Sequence, residues 1–388
     1  MPELTFRLNG QTTTVNYEEG MHFLEVLREA CGVTSAKDGC APQGYCGCCK
    51  IMVDGRPTLS CLRKPEQMQD REVVTLEGLE EAKIQVLTDA FVQDGGIQCG
   101  FCTPGIVMRA ASLLDGEPDR DRIAKGLAGH LCRCTGYSRI VDAVQSAAEA
   151  WQSGQPVEHA PRRPDFFGQA HGLERSSSNG DRHGVGGSSP RYRGHEHAMG
   201  HKPYVADMQE DGMLHAAVVF SQHPRARVVA IDPAPALAMA GVERVVTAED
   251  VPGERHVGLI VHDWPIFVAA GEITRCVGDV IALVVADSAF HARQAAAAVG
   301  VDYEVLEPVS DPYAALEPGA PQVHASGNLL DTCSFSRGDI DAALAEATHV
   351  LEETYSTQRI EHAFLEPEAC LAKPDGDSLR IYSQTQGV

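Results

Sequence analysis

Residues 39–55 read GCAPQGYCGCCKIMVDG, residues 98–105 read QCGFCTPG and residues 131–137 read LCRCTGY. Together with Cys61 they hold two sets of four cysteines: Cys40, Cys46, Cys49 and Cys61, then Cys99, Cys102, Cys132 and Cys134. Four thiolates are what one 2Fe–2S cluster takes. Gly39, Gly44 and Gly47 give the first loop backbone freedom, because glycine admits φ > 0 at little steric cost and lets amide N–H groups turn toward sulfur. Zinc sites favour separated C-x₂-C pairs. Cys40 and Cys61 are singles, and Cys132-x-Cys134 is an unusual zinc spacing. The first third of the chain is therefore expected to carry electrons through two clusters.

The plant-type spacing is C-x₄-C-x₂-C…C. Here the first gap has one residue too many, while Cys46 and Cys49 keep the C-x₂-C element. Those two are assigned as ligands, and Cys48 is read as a bystander. Cys99 and Cys102 lie just before a helix start where Thr103 can cap and Pro104 can open the helix. Cys132 and Cys134 precede another, with Ser138 as its cap. Free N–H groups and the positive dipole end there favour thiolates. Arg133, between two ligands, either raises a cluster potential or makes a surface salt bridge.

Around these loops the pattern changes twice. Residues 3–17 alternate about an Asn9-Gly10 turn, the mark of a hairpin. A helix is expected over 22–30 with Phe23, Leu24 and Leu27 on one face, then the cysteine loop and a strand pair near 49–56. That order matches a β-grasp, ferredoxin-like domain over 1–78. Residues 79–152 carry helical stripes (Ile84, Leu87, Phe91; Ile106, Val107, Ala110, Leu113, Leu114; Ile140, Val141, Val144, Ala148) and read as a small helical bundle. Residues 153–202 turn to Gly, Ser, Pro, Arg and His and read as a solvated linker, with His183, His195, His197 and His201 among them. From residue 203 short strands (214–220, 280–285, 298–303) alternate with Ala-rich helices such as 287–297, and 339–388 is expected to hold a helix and then strands.

The chain has 388 residues, 43% of them hydrophobic, and a formal net charge of −22. Such a charge argues against non-specific nucleic-acid binding. No apolar run approaches the ~20 residues that span a bilayer, and MPELTFRLNG lacks the pattern of a signal peptide. The expectation is a cytoplasmic protein whose thirteen cysteines are ligands or free thiols.

QCGFCTPG with LCRCTGY resembles the molybdenum hydroxylases, the xanthine dehydrogenase and aldehyde oxidoreductase family, and GC-x₅-CGCC-x-IMVDG agrees apart from its longer first gap. That gap points toward the selenium-dependent xanthine dehydrogenase branch. KPYVADMQEDGMLHAAVVFSQHPRARVVAID (202–232), GVERVVTAEDVPG (241–253) and VGDVIALVVAD (277–287) are similar to the family's molybdenum portion and a/b hammerhead domain. Residues 337–372 are similar to the opening of its molybdopterin-binding domain.

The resemblance implies a multidomain α+β chain: the β-grasp domain, the helical iron–sulfur domain, a linker, a hammerhead domain over 203–308 and the start of a molybdopterin-binding domain over 309–388. It places Gln386, in the loop YSQTQGV, near the molybdenum oxo ligands, where its amide can donate a hydrogen bond. Glu361, His362 and Glu366 in EHAFLEPE match a structural segment, so packing is expected there rather than metal binding.

The family's FGG loop, substrate-orienting arginine and base glutamate have no counterpart here, so no catalytic residue is expected in this chain. The expected role is to pass electrons from molybdenum through two 2Fe–2S clusters to an external acceptor. Molybdopterin would bind only with a further chain or C-terminal part. The alternatives are a stand-alone electron carrier or an inactive truncated product. No segment has the length of a flavin domain, and GVGG (184–187) follows no strand, so no FAD is expected. Purines, aldehydes and other N-heterocycles all stay open as substrates.

Overall fold

The computed structural model describes residues 1–117, 119–157 and 191–385. They form two compact units, Met1–Met208 with the stretch from Arg359 onward, and Gln209–Gln358.

The first unit opens with β1 (Glu3–Leu8) and β2 (Gln11–Asn16), paired antiparallel. Asn9 and Gly10 between them have φ of 51° and 83°, the left-handed pair that a two-residue hairpin turn needs. α1 (Phe23–Glu25) runs on into one wide π turn, Val26–Ala30, so the helix expected at 22–30 is present with a loosened second half. His22 and Glu25 cap its start reciprocally. β3 (Lys50–Val53), β4 (Arg56–Leu59) and β5 (Glu72–Val74) complete a sheet of order β2-β1-β5-β3-β4, in which β1 and β5 are parallel. This is the expected β-grasp. Leu4 and Phe6 from β1 meet Phe23, Leu24 and Leu27 across its core, with the Phe6 and Phe23 rings edge to face at 5.3 Å.

Four helices follow: α2 (Glu81–Gln93), α3 (Thr103–Ala111), α4 (Arg120–Leu127) and α5 (Ser138–Ser153). Leu87, Phe91, Ile106, Val107, Leu114, Ile140 and Val144 form the shared core. Each such buried side chain stabilises by roughly 1.5–3 kcal/mol. Thr103 and Ser138 are the first helical residues rather than caps; the cap positions fall on Cys102 and on Tyr137, whose φ is +68°. The cysteine loops wind directly into the helices, which moves each start by one residue.

The stretch expected as a solvated linker differs in its last part. α6 (Gly194–Ala198) packs on the bundle, with His197 and Ala198 buried. Ala198 joins the apolar core and His197 has backbone partners there, so this part is held rather than solvated. His183 and the GVGG cluster lie outside the described residues.

In the second unit come β6 (His215–Phe220), β7 (Ala226–Asp232), α7 (Ala234–Leu237), β8 (Val242–Val246), β9 (His256–Val257), β10 (Trp264–Pro265), β11 (Val280–Ala286), α8 (Ala289–Ala296), β12 (Gly300–Val305) and α9 (Ile340–Glu346). β11 lies between β6 and β8, antiparallel to both, and β12 pairs with β7. Ala282 and Val284 pack with Val245, Ala236 and Ala295, while Ile281 packs with Val228 and Val268, so β11 feeds two small cores from its two faces. The hairpin β13 (Cys370–Asp375) and β14 (Ser378–Ser383) belongs to the first unit. Among the described residues no helix is long and apolar enough to cross a membrane.

Candidate functional site

All thirteen cysteines are free thiols. The eight predicted ligands gather into two sets, and within each set sulfur contacts sulfur, the Cys132 and Cys134 sulfurs among them at 3.8 Å. In the first loop Cys46 contacts Cys40, and Cys49 contacts Cys61. In the second, the Cys134 and Cys99 sulfurs are 3.8 Å apart, and Cys102 contacts Cys132. Among the described residues no three His, Cys, Asp or Glu side chains converge as a mononuclear metal site requires. Two thiolates per iron is the arrangement of a 2Fe–2S cluster, so two all-sulfur sets of four donors fit that group.

The electrostatics prepare one thiol of each pair as an anion. A hydrogen bond from Cys48 is the largest influence holding Cys46 down at about 6, and the Gly39 and Cys48 amides add to it. Cys61 holds Cys49 down to about 7. Cys134 holds Cys99 down to about 6, helped by the Phe101 amide. Cys132 is pulled furthest, to about 2, by Cys102 and Cys134, with the Thr135 amide and hydroxyl behind them. The donating partners Cys48, Cys61, Cys102 and Cys134 are pushed up in return. The amides face sulfur as expected, because thiolate is the better acceptor.

Two glycines allow the β-grasp loop and the bundle to touch. A Cβ on Gly105 would sit 2.8 Å from the Cys48 Cα, and one on Gly47 would sit 2.6 Å from the Gly129 carbonyl oxygen. The same junction is bonded: the Leu131 amide donates to the Cys46 carbonyl at 2.9 Å.

The sequence did not expose the residues that hold the second loop. Arg191 Nε donates to the Gln98 carbonyl at 2.9 Å. His197 Nδ1–H and Tyr204 O–H both donate to the Cys99 carbonyl, at 2.9 and 2.8 Å. Tyr204 packs edge-on against Phe101. Asp207, three residues on, is buried and accepts from Lys37 and Arg28 of the β-grasp domain.

Arg133, between two of the predicted ligands, bonds to the segment ahead of β13. It donates to the backbone carbonyls of His362 and Glu361, at 2.5 and 2.8 Å. Glu366 accepts from Gln384 at 3.1 Å, while the Glu361 and His362 side chains are exposed. Gln386 lies outside the described residues.

Fold and site thus define a chain with two four-cysteine sets in its first unit, followed in sequence by a second, α/β unit. Three family models match in succession: the 2Fe-2S binding domain over 75–145, the aldehyde oxidase and xanthine dehydrogenase a/b hammerhead domain over 199–307, and the molybdopterin cofactor-binding domain over 322–388. The nicotinate dehydrogenase small FeS subunit of Eubacterium barkeri is 39% identical over 38% of this chain and 94% of its own length. The aldehyde oxidoreductase of Megalodesulfovibrio gigas is 32% identical over 94% of this chain and 41% of its own. The solved aldehyde oxidoreductase from Desulfovibrio gigas superposes with a TM-score of 0.82 at 29% identity, over 99% of this chain and 43% of its own. The chain belongs to the molybdenum hydroxylase family. It spans less than half the length of these aldehyde oxidoreductases.

Proposed function

We propose that this chain is the electron-transfer part of a molybdenum hydroxylase-type oxidoreductase, carrying electrons from a molybdenum centre through two 2Fe–2S clusters to an external acceptor. Bound clusters supply one-electron chemistry. The chain's own residues hold and couple them: Cys40, Cys46, Cys49 and Cys61 take one, and Cys99, Cys102, Cys132 and Cys134 the other. The observation that carries this reading is the gathering of eight thiols in two sets of four, bridged by the Leu131–Cys46 hydrogen bond.

Arg133 supports the same reading from the other side. It ties the second thiol set to residues 361–362, ahead of β13. Gln386 is proposed to face the molybdenum oxo ligands through its amide. The remaining molybdopterin-binding part comes from further chain or a partner subunit, as the separate small FeS subunit of nicotinate dehydrogenase suggests. The cytoplasm is the proposed compartment, and no flavin is assigned to this chain.

Anaerobic purification with iron and sulfide analysis, followed by EPR of the dithionite-reduced protein, tests the proposal. The expected result is about four irons per chain and two distinct cluster signals. Zinc in place of iron, or a single signal, would overturn it.

A further inference from the structure

The second unit holds a cavity of about 460 Å³ that has no part in the two thiol sets. That volume lies inside the roughly 300–1,000 Å³ of small-molecule sites. Arg225, Arg227, Arg275, His256 and His324 line it, and among the described residues Glu272 is the one carboxylate in its wall. The chain as a whole has a formal net charge of −22. In so acidic a chain, cations gathered around one cavity mark it as a place for an anion.

The carboxylates around the cavity already have partners. Arg255 donates to Glu272 through both of its terminal nitrogens, at 2.9 and 2.6 Å, and the Ala269 amide adds a third bond at 2.9 Å. Arg227 pairs with Glu304 at 3.2 Å, and Asp263 is held by Nδ1 of His324. Arg225 and Arg275 differ, because among the described residues neither has a carboxylate partner. Arg225 donates one N–H to the Glu307 carbonyl at 3.1 Å, and Arg275 donates one to the Asp263 carbonyl at 2.6 Å. The Arg275 guanidinium also lies 5.9 Å from the centre of the Trp264 ring. A carbonyl steers a guanidinium without cancelling its charge, and a guanidinium has five N–H donors. Both arginines are thus half-buried and oriented, with charge and N–H groups left over.

The backbone under both arginines is fixed. Arg225 directly precedes β7, and residues 271–274 lie antiparallel beside that strand. The Gly271 amide donates to the Val228 carbonyl at 2.7 Å, the Val228 amide to the Glu272 carbonyl at 2.9 Å and the Thr274 amide to the Ala226 carbonyl at 2.8 Å. The buried Thr274 hydroxyl accepts from the Ala226 amide at 2.9 Å. The buried Asp279 carboxylate accepts from the Arg275 amide at 2.5 Å and from the Cys276 amide at 3.3 Å. Donors placed before the ligand arrives lose less freedom on binding it.

We propose that this cavity binds the phosphate group of a small molecule, with the guanidiniums of Arg225 and Arg275 as its donors. Planar guanidinium forks match phosphate oxygens, and such charge-assisted bonds are about twice as strong as neutral ones. The site uses no cysteine and stands apart from the electron-transfer reading. The test is isothermal titration calorimetry of the full chain with inorganic phosphate and with ribose 5-phosphate, in about 0.15 M salt. One site per chain is expected. Arg225→Gln and Arg275→Gln should each weaken binding about tenfold. Arg275→Lys keeps the charge, lacks the fork and should recover only part of the affinity. Arg337→Gln removes a charge from outside the cavity and should bind as the parent chain does.

Equal affinity for the two probes shows that the phosphate alone is read, and tighter binding of the ester shows that the rest of the cavity is filled as well; either supports the proposal. No binding of either probe overturns it, as does unchanged affinity in both glutamine variants. Equal weakening in Arg337→Gln, or citrate bound as tightly as phosphate, means a general attraction of anions and overturns it too. Circular dichroism and the thermal midpoint check that each variant folds. Where a glutamine variant does not, its lysine counterpart decides, and full affinity there rejects the guanidinium fork.

Discussion

The amide of Leu131 donates a 2.9 Å hydrogen bond to the carbonyl oxygen of Cys46. Leu131 precedes Cys132, so this hydrogen bond joins the two thiol sets through backbone. Each set nevertheless gathers its own sulfurs, from separate segments of the chain. Loss of one set should therefore spare the other. Cys46→Ser is expected to halve the iron content and remove one EPR signal, and Cys132→Ser to remove the other. Loss of both signals in either variant would mean that the two loops fold as one metal site.

Arg133 binds two carbonyls, those of Glu361 and His362, and its partners lie more than 220 residues away in sequence. Hydrogen bonds from a charged donor contribute about 1.5–3 kcal/mol. Arg133→Ala should therefore raise amide hydrogen exchange across residues 359–368, while Arg133→Lys, which lacks the fork, restores protection only in part. Iron content should stay the same in both. Unchanged exchange in Arg133→Ala would show that the segment is held by its other contacts, such as Leu365 against the bundle core.

Asp207 and Lys37 form a buried pair, with side-chain exposures of 3% and 1%. Arg28 adds a second cation at 2.8 Å, the Tyr204 amide donates to Asp207 at 3.0 Å, and Glu77 is the further carboxylate felt by Lys37. Burial alone would raise the Asp207 carboxyl, but Lys37 and Arg28 outweigh it and hold it below the ordinary value. Breaking such a pair by removing one partner costs about 3–5 kcal/mol. Asp207→Asn should lower the denaturant midpoint of the first unit accordingly, and a Lys37→Met change made on top of it should cost less than it does alone.

The pH dependence follows from the direction of that shift. A carboxyl depressed on folding contributes stability that is fully present above its unfolded value, about 3.9. That stability is lost as pH falls through the lower folded value. Denaturation curves should thus show Asp207-dependent stability fading only below about pH 4, and Asp207→Asn should flatten that limb. An equally steep acid limb in the variant would assign it to other carboxylates.

The β-grasp sheet and the bundle were legible because their signals are local. An Asn-Gly turn, alternating β1 residues and helical stripes each declare themselves within about ten residues, and the cysteine spacing marks out two candidate ligand sets without any structure. The packed part of 191–208 was hidden for the opposite reason. His197 and Tyr204 reach the Cys99 carbonyl across 98 and 105 residues, and Asp207 reaches Lys37 across 170. Up to residue 202 composition saw Gly, Ser, Arg and His and read solvent, while Tyr204 and Asp207 read as part of the hammerhead domain from 203, whereas they fall in the first unit. The faint local sign was Tyr204-Val-Ala-Asp207, a capping arrangement in a stretch otherwise short of apolar residues. Arg133 escaped the same way, since its acceptors are backbone carbonyls, which no side-chain pattern reveals.

Tyr204 provides the sharpest test of that packed stretch. Its hydroxyl is one of two donors on the Cys99 carbonyl, and its ring packs edge-on against Phe101 at 5.3 Å. Tyr204→Phe keeps the ring and removes one hydrogen bond, worth about 1 kcal/mol. The second loop should then open about fivefold more often, while His197 still holds the carbonyl. Both clusters should form in the variant. The second should lose iron to a chelator several-fold faster under anaerobic conditions, followed by its visible absorbance and EPR signal, with the first cluster unaffected. Removing His197 as well, by His197→Gln, should accelerate release further. Release rates equal to those of the unaltered chain would show that Cys99 is held by its own loop, and that residues 191–208 pack beside the site without securing it.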